Sequence, residues 1–270
     1  MIQIKTDAEI AVMREAGLVV GRTLETLRAA VAPGLTTGDL DAIAEEAIRS
    51  AGAVPSFKGY HGFPATICAS VNDEIVHGIP GPKVLHEGDI VSLDCGAIVD
   101  GYHGDAAITV PVGTAAPELV ELMRVCEDAM WHGLAAVRRG GRLSDIGHAV
   151  ETTITSRGDY GIVRDYTGHG IGTEMHQEPN VPNFGRPGRG PRLDKGLALA
   201  VEPMLTQGSR ATRLLGDGWT VVTADGRRSA HFEHTVAVTD DGPWVLTALD
   251  GGAARLAEVA EVAASRGALA

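Results

Sequence analysis

The sequence predicts an α+β chain built from two similar halves related by a pseudo-two-fold axis. Three observations carry that prediction. A long helical pattern followed by a short one occurs twice, each time ahead of short strand-like runs. The chain also aligns with itself, without gaps, at a shift of about 106 positions. That shift places Ala30-Val31 on Ala136-Val137, Gly34 on Gly140, Asp39-Leu40 on Asp145-Ile146, Glu45 on Glu151, Gly52 on Gly158, and Tyr60 and Gly62 on Tyr166 and Gly168. A slightly larger shift sets Gly88 on Gly196 and Asp94 on Glu202. Finally, only 4% of the residues are aromatic, so glycine and alanine must do much of the filling at close helix–sheet contacts. A molecule of two halves places its site at the seam, where equivalent residues converge. Each half is then expected to offer a carboxylate there, Asp94 from one and Glu202 from the other. The expected organisation is one domain over 1–250, with halves at 7–113 and 117–249, and an Ala-rich tail at 251–270.

Element by element, the first helix is predicted over Asp7 to Val31, because Ile10, Met13, Ala16, Gly17, Val20, Leu24 and Leu27 recur at helical spacing. Pro33-Gly34 stop it. Thr36-Thr37-Gly38-Asp39 then cap a second helix over Leu40 to Ser50, ended by Gly52. After Pro55 the texture changes. Ala65 to Ser70 reads as a strand, Asn72-Asp73 as a turn and Glu74 to His77 as a short strand. Ile90 to Leu93 and Ile98 to Asp100, joined across Cys95-Gly96, suggest a meander that continues through Ala106 to Val110. The pattern then restarts with a helix over Pro117 to Val137, a break at Arg139-Gly140-Gly141, and a short helix from Leu143-Ser144-Asp145 to Thr155, ended by Gly158. Pro182 to Arg192 is a Gly/Pro/Arg loop and reads as a solvated surface. The tail beyond Gly251 is a terminal helix or a loose end.

Composition removes whole classes of function. Apolar residues make up 44% of the 270-residue chain, enough for a sizeable core. The net charge is -12, from 35 acidic and 23 basic residues, the wrong balance for a general nucleic-acid binder. No apolar run approaches the length of a membrane span, and Met1 to Glu9 lack the apolar stretch of a signal peptide. Cys68, Cys95 and Cys126 are an odd, sparse set, read as reduced thiols of a cytoplasmic chain.

Several residues are placed for chemistry. Asp94 ends the apolar run Ile90-Val91-Ser92-Leu93, and Asp105 follows after Asp100-Gly101-Tyr102-His103-Gly104. A carboxylate at the end of a buried strand is costly unless it is paired or bound to a cation. Alone, the two aspartates read as strand-end and turn residues that cap backbone N–H groups. His169 sits between Gly168 and Gly170 in Tyr166-Thr167-Gly168-His169-Gly170-Ile171-Gly172, with His176 beyond it. Flanking glycines let the backbone pass close to another element and leave the imidazole unshielded. Glu202 closes the apolar run Leu197 to Val201, with no basic partner nearby in sequence. In Ser229 to Thr235, alternation puts His231, Glu233 and Thr235 on one strand face and Phe232 and His234 on the other. One ion needs fewer anions than this set supplies, whereas two divalent ions ~3.5–4 Å apart tolerate it. Carboxylate-rich ligation favours manganese, iron(II) or cobalt over a structural zinc site. No Walker loop, dinucleotide fingerprint or nucleophile elbow is present.

Taken together, Asn72-Asp73-Glu74-Ile75-Val76-His77-Gly78-Ile79-Pro80, Asp94 with Asp105, Gly168-His169-Gly170-Ile171-Gly172 with His176, Val201-Glu202-Pro203-Met204 and Glu233-His234-Thr235 resemble the type I methionine aminopeptidases, short bacterial form. The resemblance runs from about Lys5 to Leu249. It implies the pita-bread fold, with a central curved antiparallel sheet covered by helices. It implies removal of the initiator methionine from nascent polypeptide N-termini, with small second residues preferred. It also implies two divalent ions per chain (cobalt, manganese, iron(II) or zinc) held by Asp94, Asp105, His169, Glu202 and Glu233. Glu202 would act as the acid–base group, with His77 and His176 contacting substrate. Tyr60, His61, Phe63, Cys68, Met175 and Trp219 would complete the substrate site. Gln177-Glu178, Phe57, Met175 and Phe184 depart from the usual family residues, which bears on pocket shape. Expected partners are nascent chains and the ribosome, with no nucleic-acid motif and no membrane, for a monomeric chain. A relative cleaving before proline would carry a larger N-terminal domain, and a metal-free relative would have lost Asp94 and Asp105.

Overall fold

Thr6 opens the first helix: its hydroxyl accepts from the Glu9 N–H at 3.3 Å while the Glu9 carboxylate accepts from the Thr6 N–H at 2.7 Å. A computed structural model of the chain describes residues 2–267. Helix α1 (Asp7–Ala30) buries the predicted stripe from Ile10 to Leu27. Helix α2 (Thr37–Ser50) starts a turn earlier than the apolar pattern implies, because Thr36 and Asp39 form the same reciprocal cap. Strands β1 (Val54–Pro55), β2 (Ile67–Val71) and β3 (Glu74–Val76) follow, then the long hairpin of β4 (Ile90–Val99) and β5 (Tyr102–Pro111).

Two features differ from the sequence expectation. The pieces at Ile90–Leu93 and Ile98–Asp100 belong to one ten-residue strand that runs straight through Cys95-Gly96. A side chain at Gly96 would lie 2.7 Å from the Phe57 ring, so the glycine marks a close approach rather than a break. Asp94 and Asp105 are therefore not strand-end or turn residues. They sit mid-strand, with Asp94 paired to Ala107 and Asp105 to Gly96. The apolar run stops at Asp94 because that face of the strand meets a polar cavity, not because the strand ends.

The second half repeats the scheme. Helices α3 (Pro117–Ala135) and α4 (Leu143–Thr155) pack together, and α3 stops at Ala135 rather than Val137. Then come β6 (Gly161–Ile162), β7 (Gly168–Gly170), β8 (Gln177–Val181), β9 (Ala198–Val201), β10 (Met204–Thr206), β11 (Thr212–Leu214), β12 (Val221–Thr223), β13 (Ser229–His231), β14 (Glu233–Thr239) and β15 (Gly242–Val245). The tail forms helix α5 (Ala253–Gly267).

Among the described residues, the main sheet runs β1-β4-β5-β14-β9-β7-β8, with β2 also on β4 and β15 on β14. All its pairings are antiparallel. The strands of the two halves meet at β5 and β14, flanked by β4 and β9. Helix α1 lies against β4 and β5, and α3 against β9, β10, β13 and β14. Leu93, Cys95, Ala106, Ile108, Val236 and Val238 join the core beneath these helices. By strand alternation Asp94, Asp105 and Glu233 face the other way. No helix among the described residues is long and apolar enough to cross a membrane.

Candidate active site

The central four strands deliver the carboxylates to one place. Asp94 comes from β4, Asp105 from β5, Glu233 from the first position of β14, and Glu202 from the residue after β9. His169 is the middle residue of β7. A side chain at Gly168 would lie 2.3 Å from the Ala200 carbonyl oxygen, and one at Gly170 would lie 2.2 Å from that of Glu178. The two glycines thus let β7 lie tightly between its neighbours, which sets the imidazole against the carboxylates. The His169 Nδ1 lies 2.9 Å from the Gly170 carbonyl oxygen. A carbonyl only accepts, so Nδ1 carries the proton and Nε2 is left as a lone-pair donor. That Nε2 is 3.5 Å from Glu202 Oε1.

His231 completes the cluster. Its Nε2 lies 3.7 Å from Glu202 Oε2 and 3.8 Å from Glu233 Oε2. Two sets of possible ligands emerge, Asp105–His169–Glu233 and Glu202–His231–Glu233, with the atoms of each within 4.8 Å of one another. Glu233 belongs to both.

The electrostatics of this cluster lack a cation. No lysine or arginine ion-pairs with Asp94, Asp105, Glu202 or Glu233 among the described residues. Burial, and then mutual repulsion, push Asp105, Glu202 and Glu233 well above the usual carboxylate range. Burial raises Asp94 as well. His169 and His231 are driven down to about 3, chiefly by burial, so both are neutral at pH 7. Asp94 Oδ1, Asp105 Oδ1, Glu233 Oε1 and His231 Nε2 are buried without a hydrogen-bond partner. Orphaned carboxylate oxygens and imidazole lone pairs converging without a protein cation are the donor chemistry a divalent ion requires. The residues present fit such an ion.

A cavity of about 170 Å³ opens from the cluster. Phe57, Phe63, Cys68 and Met175 pack as its buried apolar end, with Tyr60 and Trp219 against them. Burial pushes the Cys68 thiol up, so it stays uncharged. His77 is held at φ 60° on the wall, its ring 6.4 Å from that of Trp219 and 5.8 Å from that of Tyr166. Burial lowers it to about 4. His176 lies 4.3 Å ring to ring from His169, and its Nδ1 is 2.9 Å from the Tyr60 hydroxyl. The structure therefore gathers all the expected site residues but one around the cavity. His61 is exposed beside Tyr60 and does not line the cavity. Sequence reasoning gave no role to His231, Val76, Tyr166, Thr167 or Met204, which do line it. For His231 a signal existed: it shares a strand face with Glu233.

Residues 11–240 match the model of metallopeptidase family M24. The chain belongs to metallopeptidase family M24. Within M24 its likeness is to methionine aminopeptidases. That of Clostridium acetobutylicum is 53% identical over 92% of this chain and 99% of the relative. Methionine aminopeptidase 1 of Mycobacterium tuberculosis is 53% identical over 90% of this chain and 94% of its own length. The solved methionine aminopeptidase of Thermotoga maritima superposes with a TM-score of 0.90 at 43% identity, covering 92% of this chain and 100% of that one. The pita-bread fold of M24 is thus the fold of this chain. A Xaa-Pro dipeptidase from Bacillus anthracis shares it at a TM-score of 0.72 and 27% identity, but this chain covers only 61% of it. Divalent metal use comes with membership in this metallopeptidase family, and the cluster supplies its candidate ligands.

Proposed function

We propose that this M24 chain is a type I methionine aminopeptidase: it hydrolyses the bond after an N-terminal methionine of nascent polypeptides, with small second residues preferred. The observation that carries the reading is one cavity with an apolar, sulfur-containing end and a carboxylate–imidazole end. Asp94, Asp105, His169, Glu202 and Glu233 would hold two divalent ions, of manganese, cobalt, iron(II) or zinc, with His231 alongside. When bound, the ions acidify the attacking water and polarise the scissile carbonyl.

The chain's own residues do the rest. Phe57, Phe63, Cys68 and Met175 enclose the methionine side chain, a soft, adaptable surface for a thioether. Glu202, at the edge of the cluster, takes the proton of the attacking water and passes it to the leaving amine. The Tyr60 hydroxyl lies 2.9 Å from His176 Nδ1; with Tyr60 as donor, His176 carries its own proton on Nε2 and would donate it to the developing oxyanion. His77, neutral because buried, meets the scissile nitrogen. His61, exposed beside Tyr60, would meet substrate only outside the cavity. The reading goes with a cytoplasmic monomer working on chains at the ribosome.

The test is release of free methionine from Met-Ala-Ser by chain loaded with Mn²⁺ or Co²⁺, together with metal analysis. Methionine release that is abolished by chelator, and absent from N-acetylated peptide, is expected. Cleavage of Xaa-Pro substrates instead would move the chain to the proline-specific branch of M24.

A further inference from the structure

Strands β5 and β14 meet at the cluster through only two register pairs, Ala107 with Glu233 and Ala106 with His234. Beyond His234, β14 turns to β15, its new partner from Val236 onward. On each side of the short contact a threonine hydroxyl replaces the missing ladder. Thr235 Oγ1 accepts the Asp105 N–H at 3.0 Å and donates to the Asp105 carbonyl at 2.8 Å. Thr109 Oγ1 accepts the His231 N–H at 2.8 Å and donates to the His231 carbonyl at 2.7 Å. The exchange is reciprocal: each half lends one hydroxyl to both backbone groups of a cluster residue on the other half.

These hydroxyls have no freedom to do otherwise. Thr235 is 0% exposed and Thr109 3%. A hydroxyl has one proton and two lone pairs. The Thr109 proton goes to His231, so buried Ser92, at 2.8 Å, must donate into its remaining lone pair. The Thr235 N–H is taken by Thr247 Oγ1 at 3.0 Å. One possible ligand set, Asp105–His169–Glu233, spans this seam, and the other, Glu202–His231–Glu233, lies on its β14 side but includes His231, whose backbone Thr109 holds; Glu233, common to both, sits between the two threonine bridges.

We propose that Thr109 and Thr235 are positioning residues: by tying β5 to β14 at Asp105 and to β13 at His231, they set the spacing of the donor atoms and so the affinity of the cluster for divalent ions. This rests on the reading of Asp105, His231 and Glu233 as lining the metal site. Valine matches threonine in shape but leaves an N–H and a carbonyl unpartnered.

The experiment is calorimetric titration of Mn²⁺ into the metal-stripped full-length chain, as wild type, Thr235→Val, Thr109→Val and Thr235→Ser. Each valine variant is expected to bind about 10–100-fold more weakly, as when groups supporting a ligand are lost, with the serine variant restored to within about threefold. Unfolding followed in EDTA confirms that the variants compared are folded. A folded Thr235→Val with wild-type Mn²⁺ affinity overturns this inference alone. If both valine variants fail to fold, Ser92→Ala, which removes only the third hydrogen bond to Thr109, is read in their place, and wild-type affinity there overturns it. A wild-type chain that binds no Mn²⁺ overturns the ligand reading, and this inference with it.

Discussion

At the scale of single residues, the cluster separates metal-holding side chains from those that meet substrate. Asp105 has an orphaned oxygen beside His169 and Glu233. Asp105→Ala is expected to lose metal and activity together. His77 lies on the cavity wall and is absent from both possible ligand sets. His77→Ala is expected to keep its metal while kcat falls about 10²- to 10⁴-fold. Metal analysis beside Met-Ala-Ser turnover separates the two, and full turnover in Asp105→Ala would end the dinuclear reading. The pH dependence follows from the same groups. Between pH 5 and 8 both imidazoles are already neutral, since burial lowers them to about 3. The carboxylates are raised, so without an ion they retain protons that ion binding must displace. A raised carboxylate favours the folded state below its unfolded pKa, and that contribution fades as the pH rises. An ion reverses the sign: the thermal shift produced by a fixed Mn²⁺ concentration is expected to grow from pH 5.5 to 8. A shift that shrinks over that range would contradict the assignment. Asp94 and Glu202 were legible in the sequence because each closes an apolar run, whereas Asp105 and Glu233 close none and were legible only as part of the set. His231 was legible only as a neighbour of Glu233 on one strand face, because a buried histidine in a strand usually signals nothing more than packing.

At the scale of elements, the helices were the most legible parts, since caps and apolar spacing are local. The strands were less so. Phe57 packs against Gly96 from far along the chain, and nothing near Cys95-Gly96 reveals that β4 runs on through them. The same long-range contact explains β7. Its glycines were read as room for a close approach, and the carbonyls of Ala200 and Glu178 fill that room. Gly170→Ala is accordingly expected to destabilise the chain by about 1–3 kcal/mol, the usual cost of overpacking. It should also weaken Mn²⁺ binding, because β7 must shift and carry His169 with it. Urea unfolding in EDTA and calorimetry measure the two effects. Loss of stability with unchanged Mn²⁺ affinity would show that β7 does not position the imidazole.

At the scale of the whole molecule, the repeat legible in the sequence has a counterpart in the sheet. Asp94 and Glu202 correspond at the self-alignment, and they lie on or beside the outer strands of the order β4-β5-β14-β9. The sheet adds a second correspondence, Asp105 on β5 with Glu233 on β14, which no gap-free shift exposes. Helix α5 stands apart from this symmetry. Arg255 reaches Asp128 at 2.9 Å and lies 5.9 Å from the centre of the Trp131 ring, while Leu256 and Val259 pack on the core. Among the described residues, none of α5 lines the cavity. Its contribution is then to stability, with two half-buried apolar side chains worth about 2 kcal/mol between them. Truncation after Asp250 is expected to lower Tm by about 4–8 °C for a chain of this length, with methionine release within about twofold of the full chain. The route by which α5 would act otherwise is short: Trp131 packs 5.1 Å from His234, the neighbour of Glu233. A truncated chain that folds and binds Mn²⁺ but no longer releases methionine would show that this contact reaches the chemistry.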